Sequence, residues 1–329
     1  MRITALAGGI GGARFLRGLR EHVAARTDAA ASAEITVIGN TGDDLWLHGL
    51  RVCPDLDTVM YTLGGGIDEG QGWGREAETF SIREELAAYD VQSQWFTLGD
   101  RDIATHLVRT QLLRAGVPLS QVTEALCARW QPGVRLIPMS DDRAETHVVI
   151  EDPAEPSGQR VVHFQEWWVR MRAATAARAF VIVGIEDAKP APGVLEAITE
   201  ADVVLLPPSN PVVSIGTILA VPGVREALRS TAAPVVGVSP IVGGAPVRGM
   251  ADACLASIGV ETSAQGVAAH YGARSAQGLL DGWVVAEGDA CAVDGVRVEA
   301  RPLLMGSSAA AAALAGEALD LALAIGRRG

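Results

Sequence analysis

Apolar runs of four or five residues recur along this chain, and most end in a cluster of Gly, Pro, Asn, Asp or Ser before a stretch with helical spacing. Residues 3–7 read as a buried strand, 8–12 as a loop, and 13–25 as a helix with Phe15, Leu16, Leu19 and Val23 on one side. A second strand, 35–38, ends in the turn-rich Gly39-Asn40-Thr41-Gly42-Asp43-Asp44. A short helix at 57–63, a glycine-rich loop at 64–74 and a helix at 75–89 follow. The pattern then predicts a strand at 95–98 and helices at 103–115 and 120–130. Strands at 134–138, 146–150 and 161–164 have no clear helix between them, which predicts an antiparallel or mixed insertion, closed by a helix at 167–177.

From 180 the alternation resumes. Strands are expected at 180–185, 203–206, 234–238 and 284–286, and helices at 194–200, 215–228 (interrupted at Pro222), 250–258 and 264–271. This rhythm predicts an α/β fold with a doubly wound, mostly parallel, Rossmann-like sheet and a smaller α+β insertion. The core would be 1–132 and 178–329, and the insertion 133–177. Ligands in such sheets bind at the carboxyl ends of strands, where most of the polar segments fall.

The apolar stretch 307–325 contains Glu317 and Asp320 and reads as a packed C-terminal helix, not a membrane span. The N-terminus has no basic segment with a long apolar run, so a cytoplasmic protein is expected. Cys53, Cys127, Cys254 and Cys291 form no CxxC pair and read as reduced thiols. A net charge of −12 argues against general nucleic-acid binding. Lys189 is the only lysine. A phosphate-loop or Schiff-base lysine therefore falls to a residue in a Lys-Pro-Ala-Pro loop, which suits neither role.

The segment Gly8-Gly9-Ile10-Gly11-Gly12-Ala13-Arg14 has glycines that let backbone N–H groups approach an anion at a helix start. A tight strand–helix turn would look the same. Arg14 stands where a dinucleotide fingerprint has its third glycine, and Asn40 where it has an acid. The carboxylates Asp43, Asp44, Asp55 and Asp57 are hard oxygen ligands suited to Mg²⁺, although Asp55 or Asp57 also suits a helix cap. Arg101, between Asp100 and Asp102 at a predicted helix start, is a candidate grip for an anion; His106 follows one turn on. Ser209, Asn210, Ser214 and Gly216 lie at a strand end and suit a nucleotide, a chemistry repeated at 239–244. Trp167 and Trp168 suit either ring stacking or core packing.

Taken in order, eight segments resemble the CofD/FbiA family, the phosphoenolpyruvate or 2-phospholactate transferases of coenzyme F420 biosynthesis. They are 7–16, 42–49, 53–61, 98–106, 138–142, 163–168, 208–216 and 239–244. The resemblance implies a guanosine-diphosphate-activated three-carbon acid as donor and the deazaflavin Fo as acceptor. The Gly-Gly-Ile-Gly-Gly-Ala-Arg form resembles the actinobacterial type, which implies enolpyruvyl-diphospho-guanosine rather than the lactyl donor. It also implies Fo contacts at Asp57 and Thr97, with the tryptophans, Trp167 among them, enclosing the ring. Mg²⁺ would be held by Asp44, Asp55 or Asp57 with Asp43 in support. Asp57 and Arg101 would serve the chemistry. Gly9, Gly11, Gly12, Arg14, Asn40, Ser209, Asn210, Ser214 and Gly216 would hold nucleotide and phosphates. A homodimer is expected. Two other classes remain open: a nucleotide-sugar glycosyltransferase using Asp55-Leu56-Asp57, and a nucleotide-binding regulator without turnover.

Overall fold

The computed structural model describes residues 1–27, 32–91, 95–289 and 291–328. The first half of the chain forms β1 (Arg2–Ala7), α1 (Gly9–Ala25) and β2 (Glu34–Gly39), then a hairpin, β3 (Leu45–Leu47) and β4 (Leu50–Val52). Helices α2 (Pro54–Gly64), α3 (Ser81–Ala88), α4 (Asp100–Arg114) and α5 (Leu119–Trp130) lead to β5 (Arg135–Pro138). Next come β6 (Glu145–Glu151), β7 (Gln159–His163) and β8 (Ala177–Val183). The second half contains α6 (Val194–Thr199), β9 (Val203–Leu206), α7 (Ile215–Ala220), α8 (Val224–Ser230) and β10 (Val235–Val238). A small hairpin, β11 (Ile241–Val242) and β12 (Ala245–Pro246), precedes α9 (Ala251–Ser257), α10 (Ala264–Tyr271), β13 (Gly282–Ala286), β14 (Arg297–Arg301) and α11 (Ser308–Ile325).

Seven strands form one sheet in the order β14-β13-β10-β9-β1-β2-β5, and every neighbouring pair is parallel. The chain adds β2 and β5 on one side of β1, then crosses to add β9 and the rest on the other. The order therefore reverses between β1 and β9, which opens a crevice at their carboxyl ends. Alternate side chains feed two cores. Ile3, Ala5 and Ala7 pack with α1, α2, α5 and α11, while Leu6, Val204 and Leu206 pack with the α6–α10 side. Both faces are covered, which is why these strands read as unbroken apolar runs. By length and composition α11 is apolar enough to cross a membrane. Here its Leu314, Ala315, Ala318, Leu319 and Ala322 are buried in the core shared with α1.

Several expectations change. The strand at 135–138 belongs to the main sheet, paired in parallel with β2. The insertion sheet is β7-β6-β8, antiparallel, so the strand expected to restart the core near 180 is its third member. Residues 95–98 form no strand, and the helix expected at 75–89 spans only α3. The helix expected at 167–177 is a π-helical turn, Glu166–Arg170, before the chain enters β8.

Candidate functional site

Gly8 follows β1 and caps α1, which begins at Gly9 (φ 65°). The connection is thus the single residue Gly8, and Gly11 and Gly12 already lie in the helix. A Cβ at Gly11 would sit 2.6 Å from the Pro208 carbonyl oxygen, and one at Gly12 2.6 Å from Ser209 Oγ. These two glycines seat α1 on the segment leaving β9. Ser209 completes that seam: its hydroxyl donates to the Gly8 carbonyl at 2.8 Å and accepts from the Gly8 N–H at 3.2 Å. Asn210 Oδ1 accepts the N–H groups of Val212 and Val213, at 2.9 and 3.2 Å, in its own turn. Gly216 is packed on the Pro211 carbonyl in the first turn of α7. Ser214 faces the loop instead, its Oγ 3.0 Å from where a Gly8 Cβ would be.

The anion at the start of α1 is the chain's own Asp55. It accepts from the Gly9 N–H and from Asn40 Nδ2, the latter at 2.9 Å. Asn40 also donates to the Val213 carbonyl and accepts from the Gly42 N–H. It thereby joins the ends of β2, the β9 loop and α2. Burial pushes the Asp55 carboxyl up to about 6, against those two hydrogen bonds. Asp43 is raised well above the ordinary carboxylate value by burial, then by the charge of Asp55. Asp43 Oδ1 is buried with no hydrogen-bond partner among the described residues. Two crowded carboxylates with an unsatisfied oxygen, beside backbone amides, are a donor set that fits a divalent cation.

Asp44 and Asp57 have other partners. Asp44 Oδ2 accepts from Arg51 Nη2 at 3.3 Å, its Oδ1 is buried with no hydrogen-bond partner among the described residues, as in Asp43, and burial still pushes its carboxyl up to about 7. Arg51 Nη1 reaches Glu145 of the insertion at 2.5 Å. The same loop is tied to the insertion twice more. The Thr146 N–H donates to the Gly42 carbonyl at 2.7 Å. His163 Nδ1 accepts from the Gln165 N–H at 3.1 Å, which leaves Nε2–H to donate to the Asp44 carbonyl at 3.2 Å. Asp57 is gripped by both terminal nitrogens of Arg109, with Nη1 at 3.0 Å from Oδ2. Arg109 Nη1 also lies 3.0 Å from His106 Nδ1, and His106 Nε2 3.3 Å from Asp102 Oδ2. Asp57, Asp102 and His106 are close enough to share an ion, but the guanidinium already supplies the positive charge there.

Of the predicted residues, Asn40, Asp43, Asp55, Gly9 and Ser214 meet at the β1/β9 crevice. Arg14 is half-buried on the second turn of α1, with no ion pair among the described residues. Arg101 is exposed at the start of α4, and its N–H is held by Glu78 at 2.8 Å. Thr97 lies in a loop whose neighbours Phe96 and Leu98 line an apolar cavity of about 240 Å³. Trp167 is a correction. It is 0% exposed among Phe164, Phe180 and Val148, its indole N–H donates to the Thr175 carbonyl at 2.8 Å, and it presents no face to a ligand. The reading from sequence missed Arg51, Arg109, Glu145 and Thr146. Arg109 carried a signal: it lies on the same buried face of α4 as Ile103, His106 and Thr110, where an arginine needs an acid partner.

The profile of the family described as 2-phospho-L-lactate transferase CofD matches residues 3–301. A phosphoenolpyruvate transferase of Thermobifida fusca is 66% identical over 330 residues, covering 100% of both chains. One of Streptomyces coelicolor is 66% identical over 98% of each chain, and one of Mycolicibacterium smegmatis 60% identical over 98% of this chain and 99% of its own. Among solved structures, a UPF0052-family protein of Bacillus halodurans superposes with a TM-score of 0.59 over 97% of this chain and 99% of its own. At 16% identity that likeness speaks for the fold alone. A profile spanning almost the whole chain, with relatives this similar from end to end, makes the protein a member of the CofD family of transferases.

Proposed function

We propose that this enzyme transfers the phosphoenolpyruvyl group of enolpyruvyl-diphospho-guanosine to the terminal ribityl hydroxyl of Fo, giving dehydro coenzyme F420-0 and GMP. The hydroxyl oxygen bonds to the phosphorus carrying the enolpyruvyl group. The bond from that phosphorus to the bridging oxygen breaks, GMP leaves, and the hydroxyl proton is released. Relatives that match from end to end carry the name phosphoenolpyruvate transferase, which supports this donor over the lactyl one.

The observation that carries the reading is the pairing of buried Asp43 and Asp55 beside the α1 start, with an unsatisfied oxygen on Asp43. These two residues would hold Mg²⁺, with Asn40 orienting Asp55. A bound Mg²⁺ would supply positive charge to the donor diphosphate. Transfer of this kind depends chiefly on positioning and charge neutralisation. Asp44, with its own unpartnered oxygen, would lend a further ligand, while Asp57, both of whose oxygens are held by Arg109, would not. The amides that follow Gly9, with Arg14 and Ser214, are assigned to the diphosphate and nucleoside. Thr97 and its flanking apolar cavity are assigned to the deazaflavin, since such cavities suit flat apolar rings. Arg101, at a neighbouring helix start, is assigned to the donor's carboxylate.

The test is mass spectrometry of products formed from Fo with each guanosine donor, with and without EDTA. Dehydro F420-0 from the enolpyruvyl donor, abolished by EDTA and restored by Mg²⁺, is expected. Product from the lactyl donor alone would overturn the donor assignment. Full turnover in EDTA would remove the metal.

A further inference from the structure

The glycine-rich segment after α2 folds over the start of α1 and is fastened there by two arginines. Arg17 of α1 pairs with Glu69. Arg248, just beyond the β11–β12 hairpin, donates from Nη2 to the Gln71 carbonyl. Gly72 shows how close these parts lie. Its φ is 78°, and a Cβ there would be 3.0 Å from both Arg248 Nη1 and Ile10 Cγ2. Nη1 and Ile10 thus flank one point, and the guanidinium lies beside the first turn of α1. That hairpin follows β10, the strand next to β9, so Arg248 comes to the start of α1 from the β10 side.

Arg248 is exposed and has no acidic partner among the described residues, unlike Arg51 and Arg109. One of its five N–H groups is spent on Gln71, and the others have no protein acceptor among the described residues. An arginine left without a counter-ion beside the start of α1, the helix end that Asp55 meets at Gly9, is suited to an incoming anion. We infer that Arg248 is a phosphate-binding residue of the donor site. It grips the diphosphate with its free N–H groups and ties the 68–74 segment across the bound ligand through Gln71. The inference rests on the donor-site reading above, and it adds a residue and a closing contact from the β10 side.

Calorimetric titration of GDP with Mg²⁺ tests it, using wild type, Arg248→Ala, Arg248→Lys and Arg17→Ala. Arg17→Ala cuts the other tie of the same segment without removing the proposed phosphate ligand. The expected result is about a tenfold or greater loss of affinity in Arg248→Ala, most of it recovered in Arg248→Lys. Arg17→Ala should bind GDP as wild type does. The salt dependence of GDP binding should flatten in Arg248→Ala alone. Equal binding by Arg248→Ala and wild type overturns the inference, as does an equal loss in Arg17→Ala, which would leave Arg248 only a fastener. A wild-type protein that binds no GDP overturns the donor-site reading itself, and this inference with it.

Discussion

Asp55 and Asp57 stand two residues apart on the first turn of α2 and do different work. At 100° per residue, positions i and i+2 of a helix face away from each other. Asp55 turns to Gly9 and Asn40, and Asp57 to the Arg109 fork. The Asp-Leu-Asp triplet is therefore not one chelate, which removes the main support for a glycosyltransferase. It also separates two variants. Asp55→Asn should fold normally and lose at least tenfold in Mn²⁺ affinity, read by calorimetry. Arg109→Met leaves Asp57 buried without its partner and should cost about 3–5 kcal/mol, read from the urea midpoint. Asp57→Asn should also destabilise, by stranding the Arg109 charge. A stable Asp57→Asn protein with ordinary metal affinity but no turnover would instead return Asp57 to a direct role with the acceptor.

At the level of elements, α1 is held from two sides, by the β9 segment at its start and by α11 along its length. A Cβ at Gly18 would lie 2.3 Å from the Ala311 backbone, so the helices meet almost backbone to backbone. Gly18→Val should push them apart and lower stability by about 1–3 kcal/mol, measured by urea unfolding. Gly18 sits on the apolar stripe that made α1 legible, but the sequence alone did not say that its partner is the last helix of the chain. The same limit recurs. The strand ends carrying Gly8, Asn40, Asp43 and Ser209 were legible because apolar runs stop at turn-forming residues. The strand Arg135–Pro138 was assigned to the insertion because its parallel partner, β2, lies about a hundred residues earlier. β14 was missed because its side chains are half-buried or exposed and three of its five residues are charged. In the site, polarity marked the acids, while Arg51 and Arg109, which hold Asp44 and Asp57, came from another strand and another helix.

Across the whole molecule, the loop of residues 40–44 is where sheet, α2 and insertion are joined. The insertion holds Gly42 and Asp44 through Thr146 and His163, and Arg51 bridges Asp44 to Glu145. Gathering acids there has a consequence for stability. Asp55 and Asp44 keep protons to about pH 6 and 7 in the folded protein, against an ordinary value of 3.8. Between those limits the folded state binds more protons than the unfolded chain, so the stability these groups contribute falls as pH rises. It is fully present below about pH 4 and lost on passing through pH 6 to 7. Mg²⁺ held by these acids would act the other way, because its ligands must be deprotonated. At a hundred times its dissociation constant, a metal that binds only the folded state adds about 2.7 kcal/mol. Thermal unfolding should therefore show two opposed trends. Without metal, the contribution of this cluster, taken as the difference between wild type and Asp55→Asn, should decline from pH 5 to pH 8. With Mg²⁺, the gain in midpoint temperature should be larger at pH 8 than at pH 5 and absent in Asp55→Asn. A gain that is equal at both pH values, or that survives Asp55→Asn, would mean that the ion is held by other groups and that the buried acids serve only the fold.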